Sequence, residues 1–233
     1  MSLRACFTIT VVLFSCLSLL AGQPVPLSGD LYKTERFSDD FSSPKLGKQW
    51  SLYKSSSLLK DGVLVGIEEK DGGHAAVHQL RVEPCSDLEL TLDIKFEGSK
   101  STNLTFNQHR YKETHAGHIC RVIVSRNKVI LRDGKTGVFN NEIFKKRKAG
   151  KKLDEQTQAL LKQSEASFPV KLKEGKWYTV NVRIKGDLMQ AFIDGTLVGS
   201  LHSPGIAHKT KDKIGLVTPK QSIHYDNLTV KVP

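Results

Sequence analysis

The sequence predicts an all-β fold, a two-sheet antiparallel β-sandwich of jelly-roll type with one short helical, basic insertion. Three observations carry that prediction. Apolar residues recur at every second position through whole segments, Gly and Asp punctuate those segments at hairpin spacing, and helical periodicity is nearly absent.

At the N-terminus, Arg4 precedes an apolar run from Ala5 to Leu20 and a small-residue exit at Ala21 and Gly22. That order marks residues 1–22 as a secretory signal peptide. The run is shorter than the roughly 20 apolar residues a spanning helix requires, and Gln23, Pro24 and Pro26 follow in place of a cationic stop-transfer cluster. The expectation is a secreted or periplasmic protein with no membrane span after cleavage; an uncleaved anchor is the alternative. Residues 23–35 form an N-terminal segment. Residues 36–233 suit a single sandwich domain, because all-β units of about 210 residues commonly share one core and no linker divides this stretch.

Strand candidates follow in order. Val63 to Ile67 and Ala75 to Leu80 are short. From Asp87 to Glu97, Leu88, Leu90, Leu92, Ile94 and Phe96 alternate with Glu89, Thr91, Asp93 and Lys95, as in a half-buried antiparallel strand whose polar face meets solvent. Leu104 to Phe106 precedes a hairpin in which Ile119 to Val124 and Lys128 to Arg132 flank Arg126 and Asn127, with Asp133 and Gly134 closing it. Tyr178 to Lys185, Leu188 to Ile193 and Thr196 to Leu201 form a meander whose turns are Gly186-Asp187 and Asp194-Gly195, pairs that supply the positive φ a tight turn needs. Lys213 to Val217 and Ser222 to Val232 bring the total to about ten strands. The insertion at about 144–173 holds a cationic loop (Lys145, Lys146, Arg147, Lys148, Lys151, Lys152), then a short amphipathic helix from Asp154 to about Ser164.

Beyond the signal segment only Cys85 and Cys120 remain. An oxidising compartment permits a disulfide between them; two buried thiols are the equal alternative. Lys and Arg exceed Asp and Glu by eleven, and loss of Arg4 leaves about +10. Export and the absence of a nucleic-acid motif exclude nucleic acid as a partner and favour a carbohydrate or acidic glycan.

Gly175, Trp177 and Tyr178, then Gly186 and Asp187, then Phe192, Ile193, Asp194, Gly195 and Leu197 resemble the signature of laminin-G and concanavalin A-like domains. Phe37, Asp39, Asp40, Phe41 and Trp50 are similar to the opening strand of that superfamily, and Tyr225, Asp226, Asn227, Leu228 and Val230 to its closing one. With Asp61 to Leu64, the chain most resembles the secreted bacterial 3-keto-disaccharide hydrolase family. The resemblance implies a concanavalin A-like jelly roll, core positions for Trp50 and Trp177, and a structural Ca²⁺ among Asp39, Asp40 and Asp226. The oligomeric state is left open.

The resemblance also bears on catalysis. The Glu-x-Asp-x-x-Glu strand of laminarinase-like members is missing, with Glu89 and Asp93 as the nearest approach. The family's Gly-x-Glu-x-Gln strand corresponds to Gly117, His118, Ile119, Cys120 and Arg121, with His118 where the acid stands. His109, Arg110, Tyr111, His115, His118 and Arg121 form the densest polar cluster and the candidate ligand-binding set. Three His in ten residues also raise a metal site. Tyr53 and Tyr111 are candidate sugar-stacking platforms. The expected function is a secreted carbohydrate-binding sandwich, weakly catalytic or non-catalytic. One alternative is a hydrolase or lyase acting on 3-keto-disaccharides, with His118, His115 or Asp133 as acid and base. Another is a laminin-G-like adhesion module whose basic insertion contacts an acidic partner.

Overall fold

The computed structural model describes residues 24–233, and the predicted signal peptide lies outside the described residues. Four short strands come first: β1 (Thr34–Asp39), β2 (Trp50–Tyr53), β3 (Leu58–Lys60) and β4 (Val63–Gly66). β5 (Ala76–Cys85), β6 (Leu88–Glu97), β7 (Ser101–Asn107), β8 (His118–Ser125) and β9 (Lys128–Asp133) follow. Two helices, α1 (Asn141–Lys148) and α2 (Glu155–Gln163), precede β10 (Glu165–Pro169). β11 (Trp177–Lys185), β12 (Leu188–Ile193), β13 (Thr196–His202), β14 (Lys211–Thr218) and β15 (Ser222–Val232) complete the chain.

These strands form two antiparallel sheets packed as a sandwich. One runs β13, β12, β11, β6, β15, β4, β3, with β1 also on β15; the other runs β10, β9, β8, β7, β14, β5, β2. Alternation explains the layering. Leu88, Leu90, Leu92, Ile94 and Phe96 are completely buried and share one core with Tyr178, Val180, Val182 and Ile184 and with Leu104, Phe106, Val122, Val124, Ile214 and Leu216 of the facing sheet. Each such side chain contributes roughly 1.5–3 kcal/mol by leaving water.

The structure corrects the sequence reading in six places. The described residues form fifteen strands, because short edge strands such as β1 and β3 carry too few residues for an alternation signal. Lys145 to Lys148 of the cationic run are helical: they form the last turn of α1, where their charge complements the helix dipole, while Asn140 Oδ1 accepts from the Glu142 and Ile143 N–H groups at the other end, and Lys151 and Lys152 stay in the loop that follows. The insertion is also shorter than 144–173, since β10 lies within that range and pairs with β9.

The polar face of β6 is not simply solvated. Residues from 24 onward cross it, with Arg183 Nη1 donating to the Leu27 carbonyl at 2.6 Å and Tyr32 Oη donating to the Ile184 carbonyl at 3.0 Å. Glu89 is therefore only 8% exposed and pairs with Arg183. Trp50 is buried as expected, its Nε1 donating to Asp39 Oδ2 at 2.8 Å, but Trp177 is 37% exposed beside the Lys95 ammonium.

Finally, Cys85 and Cys120 are free thiols, so no bridge joins them. Cys85 lies on β5 and Cys120 on β8, with β14 and β7 between. Three strand spacings of roughly 4.8 Å exceed the roughly 7 Å a disulfide can span.

Candidate functional site

The outer face of the β10-to-β2 sheet carries a groove of about 620 Å³. Its floor follows from alternation: Val77 and Gln79 on β5, Asn103, Thr105 and Asn107 on β7, Lys213 and Val217 on β14, and Arg121 on β8 stand outward between core residues. Tyr53 and His74 close one end, their rings meeting edge to face at 5.2 Å. His115, Phe139 and Phe144 close the other.

Three of the six expected ligand residues, His115, His118 and Arg121, line this groove. Residues 118 and 121 would alternate onto opposite faces of a regular strand. A register shift between β7 and β8 at Phe106/Asn107 prevents this: Ile119 and Cys120 are both buried in the core, so His118 and Arg121 both point outward. The other three lie elsewhere. The His109 N–H donates to Asp212 Oδ1 at 2.7 Å, Arg110 occupies a turn at φ 59°, and Tyr111 packs on His208 with its hydroxyl donating to Glu113. Tyr53 is 50% exposed at the groove mouth, so it is the aromatic platform available there, and Tyr111 is not.

The network fixes the state of His118. Asn107 Nδ2 donates to Thr105 Oγ1 at 2.9 Å, leaving Asn107 Oδ1 to accept from His118 Nδ1 at 2.7 Å. The Nδ1–H tautomer follows, and Nε2 keeps its lone pair with no partner among the described residues. Burial is the largest cause, followed by the Arg121 charge, of an imidazole pKa pushed down to about 3. His118 is thus neutral, and its free nitrogen accepts hydrogen bonds.

Arg121 is the least satisfied group of the site. Its guanidinium lies over the Phe139 ring at 4.9 Å, and its buried Nε finds no acceptor. Burial, and secondarily the Arg132 charge, lower its pKa to about 10. No Asp or Glu is among the residues lining the groove.

Asp133, read from sequence as a candidate acid or base, is not in the groove. It is completely buried, and its carboxylate accepts from the Thr136 N–H at 3.1 Å, Thr136 Oγ1 at 2.5 Å, Ser203 Oγ at 2.7 Å and the Gly205 N–H at 2.8 Å. A Cβ on Gly205 would collide with it, so glycine is required. This saturated carboxylate ties the 203–205 loop to the Gly134–Val138 turn, which delivers Phe139 to the groove.

Of the expected Ca²⁺ donors, Asp39 and Asp40 line one hollow with Asn227, and all three carboxylates accept local N–H groups. Asp39 accepts from the Phe41 N–H at 2.8 Å through one oxygen and from Trp50 Nε1 through the other, Asp40 from the Ser42 N–H and hydroxyl, and Asp226 from the Asn227 N–H. Among the described residues, no three His, Cys, Asp or Glu side chains gather as a metal site, and His115 stacks on Phe144 at 3.8 Å instead.

Sequence reasoning missed Gln79, Asn103, Thr105, Asn107, Lys213 and the two Phe residues. The first five stand at outward positions on alternating strands, a signal present in the sequence once the inner face is known.

Residues 36–231 match the profile of the 3-keto-alpha-glucoside-1,2-lyase-like domain. Among solved structures, similarity extends to a sialidase (TM-score 0.59, 14% identity, 85% of this chain), of which the chain spans only 18%. It extends also to the carbohydrate-binding module CBM66 from Bacillus subtilis (TM-score 0.53, 14% identity, 78% of this chain and 95% of that one). A Bacillus subtilis protein with a galectin-like fold gives TM-score 0.53 at 14% identity, over 86% of this chain and 96% of that one. No curated protein matches in sequence. At these identities the structural likenesses establish the concanavalin A-like jelly-roll fold.

Proposed function

Because the chain belongs to the 3-keto-alpha-glucoside-1,2-lyase-like domain family, we propose that it is a secreted carbohydrate-binding protein, weakly catalytic or non-catalytic, whose ligand lies in the groove between Tyr53 and Phe144. The carrying observation is a groove lined with amide, hydroxyl and aromatic groups and lacking the carboxylates glycoside hydrolysis uses. Amides and hydroxyls match the donors and acceptors of a sugar, and the half-exposed Tyr53 ring offers a flat apolar surface to a sugar face. The N-terminal apolar segment supports export; no described helix is long and apolar enough to cross a membrane. Glycan-array retention followed by titration calorimetry tests the reading. Tyr53→Ala is expected to weaken binding about tenfold, roughly 1.4 kcal/mol, with the melting temperature little changed. Retention of no saccharide at any ionic strength ends the proposal.

A specific observation keeps a lyase reading in view. Elimination across C1 and C2 of a 3-keto sugar needs a base for the C2 proton, which the neighbouring ketone acidifies, and a positive group for the resulting enolate oxygen; the enolate then forms the C1–C2 double bond as the C1–O bond breaks, and the departing oxygen takes up a proton. His118 Nε2 and Arg121 supply those two chemistries in one groove. On a 3-keto-glucoside this reading expects His118→Ala to lower turnover by about 10²–10⁴-fold while the fold survives. A rate unchanged by that substitution removes His118 as the base.

A further inference from the structure

We infer that the groove selects saccharides bearing an anionic group, a carboxylate or a sulfate ester, with Arg121 as the residue that receives it. This rests on the carbohydrate reading and sharpens it to a ligand class. Arg121 is a half-buried guanidinium whose enclosed Nε has no partner and which makes no hydrogen bond or ion pair among the described residues, whereas the other half-buried arginines, Arg126, Arg132 and Arg183, all have carboxylate partners. An unpaired buried charge is costly to a fold, so an isolated one opening on a groove marks a missing counter-charge.

The surroundings give the same sign. Lys213 stands on the same floor with no ion pair. The charges felt by Arg121 include Arg132, Glu165 and Arg147, and the one carboxylate among them, Glu165, is already held by Arg132. Near Lys213, Asp212 is held by the His109 N–H. Beyond His115 and Phe144 a shallower hollow continues from the groove, bordered by Lys145 and Lys148, with Glu142 on Lys145 as the only ion pair of that rim among the described residues. Cations thus run from the floor over the wall onto α1.

Geometry suits an oxyanion better than a neutral hydroxyl. The Arg121 guanidinium lies over the Phe139 ring at 4.9 Å, and its planar fork of N–H groups can meet two oxygens of a carboxylate or sulfate side by side. His118, neutral and acceptor-only at Nε2, takes a sugar hydroxyl beside it.

The test is an array of gluco-, galacto-, manno- and xylo-oligosaccharides, each printed in neutral, uronate and sulfated forms, probed with the protein, Arg121→Gln and Lys128→Gln. The expected result is at least tenfold preference for one acidic form over its neutral counterpart. Arg121→Gln should lose that preference at least tenfold, and Lys128→Gln, far from the groove, should keep it. Whether the uronate or the sulfate arm responds identifies the source of the anion. Because Arg121 makes no hydrogen bond or ion pair among the described residues, Arg121→Gln should leave the melting temperature little changed. Neutral sugars bound as well as acidic ones overturn the inference and leave the carbohydrate reading standing; no sugar bound ends both. An acidic preference that survives Arg121→Gln assigns binding to the exposed cations of α1 and also overturns it.

Discussion

His118 and His78 are both imidazoles held neutral by burial, for different ends. His118 faces the groove with one nitrogen locked on Asn107. His78 lies inside the sandwich, its ring 6.3 Å from that of Tyr225, and its Nδ1 has no partner. Burial lowers the His78 pKa from 6.5 to about 4. Between those values the unfolded chain binds a proton that the native one refuses, so stability is full above pH 6.5 and falls as pH drops toward 4. The loss is on the order of 3 kcal/mol. His78 should therefore contribute roughly 6–12 °C to the difference between thermal melts at pH 7.5 and pH 4.5, beside what His118 adds, and His78→Leu should shrink the difference by about that much; an equal pH dependence in the variant removes His78 as a source. At this scale the sequence was half legible. The polar cluster at 109–121 marks the groove, but only three of its six side chains enter it, because a loop's turn decides direction and the residue types do not. His78 was readable by alternation alone, since it shares a face with Ala76 and Leu80.

Elements were legible where their pattern was long. The alternation of 88–97 and 178–185 and the Asp194-Gly195 turn all reappear as β6, β11 and the β12–β13 hairpin. The bulge at the start of β8 was not legible, because it exists only in the register with β7. Gly117 makes it feasible: it sits at φ 73°, and a Cβ there would collide with the Gln108 carbonyl oxygen. Gly150 has a similar φ of 65° but nothing near its missing Cβ, so the pair separates backbone strain from collision. Gly150→Ala should cost about 1 kcal/mol and Gly117→Ala at least about twice that. The larger cost should appear as a melting temperature several degrees lower for Gly117→Ala, together with weakened saccharide retention as His118 leaves the groove. Equal melting temperatures in the two variants would show that the bulge has slack and that Gly117 does not set it.

For the whole molecule, a sandwich was legible because every long strand is amphipathic with period two, whereas the order of strands within each sheet was not, because sequence separation says little about which strands neighbour each other. The cysteines test that order. With β7 and β14 between them, Cys85 and Cys120 cannot meet, and each thiol is raised by burial, to about 11 and about 12. Thiols so protonated and enclosed react slowly, since the thiolate is the nucleophile. Site-resolved alkylation followed by peptide mass spectrometry should leave Cys120 unmodified in the native protein and modify both residues once denaturant opens the sandwich, with the melting temperature unaffected by reductant. A Cys85–Cys120 crosslinked peptide in a non-reducing digest, or a melt that shifts on reduction, would require the two strands to be neighbours. The groove floor, which takes Asn107 from β7 and Lys213 from β14 because those strands lie between β8 and β5, would then have to be rebuilt with them.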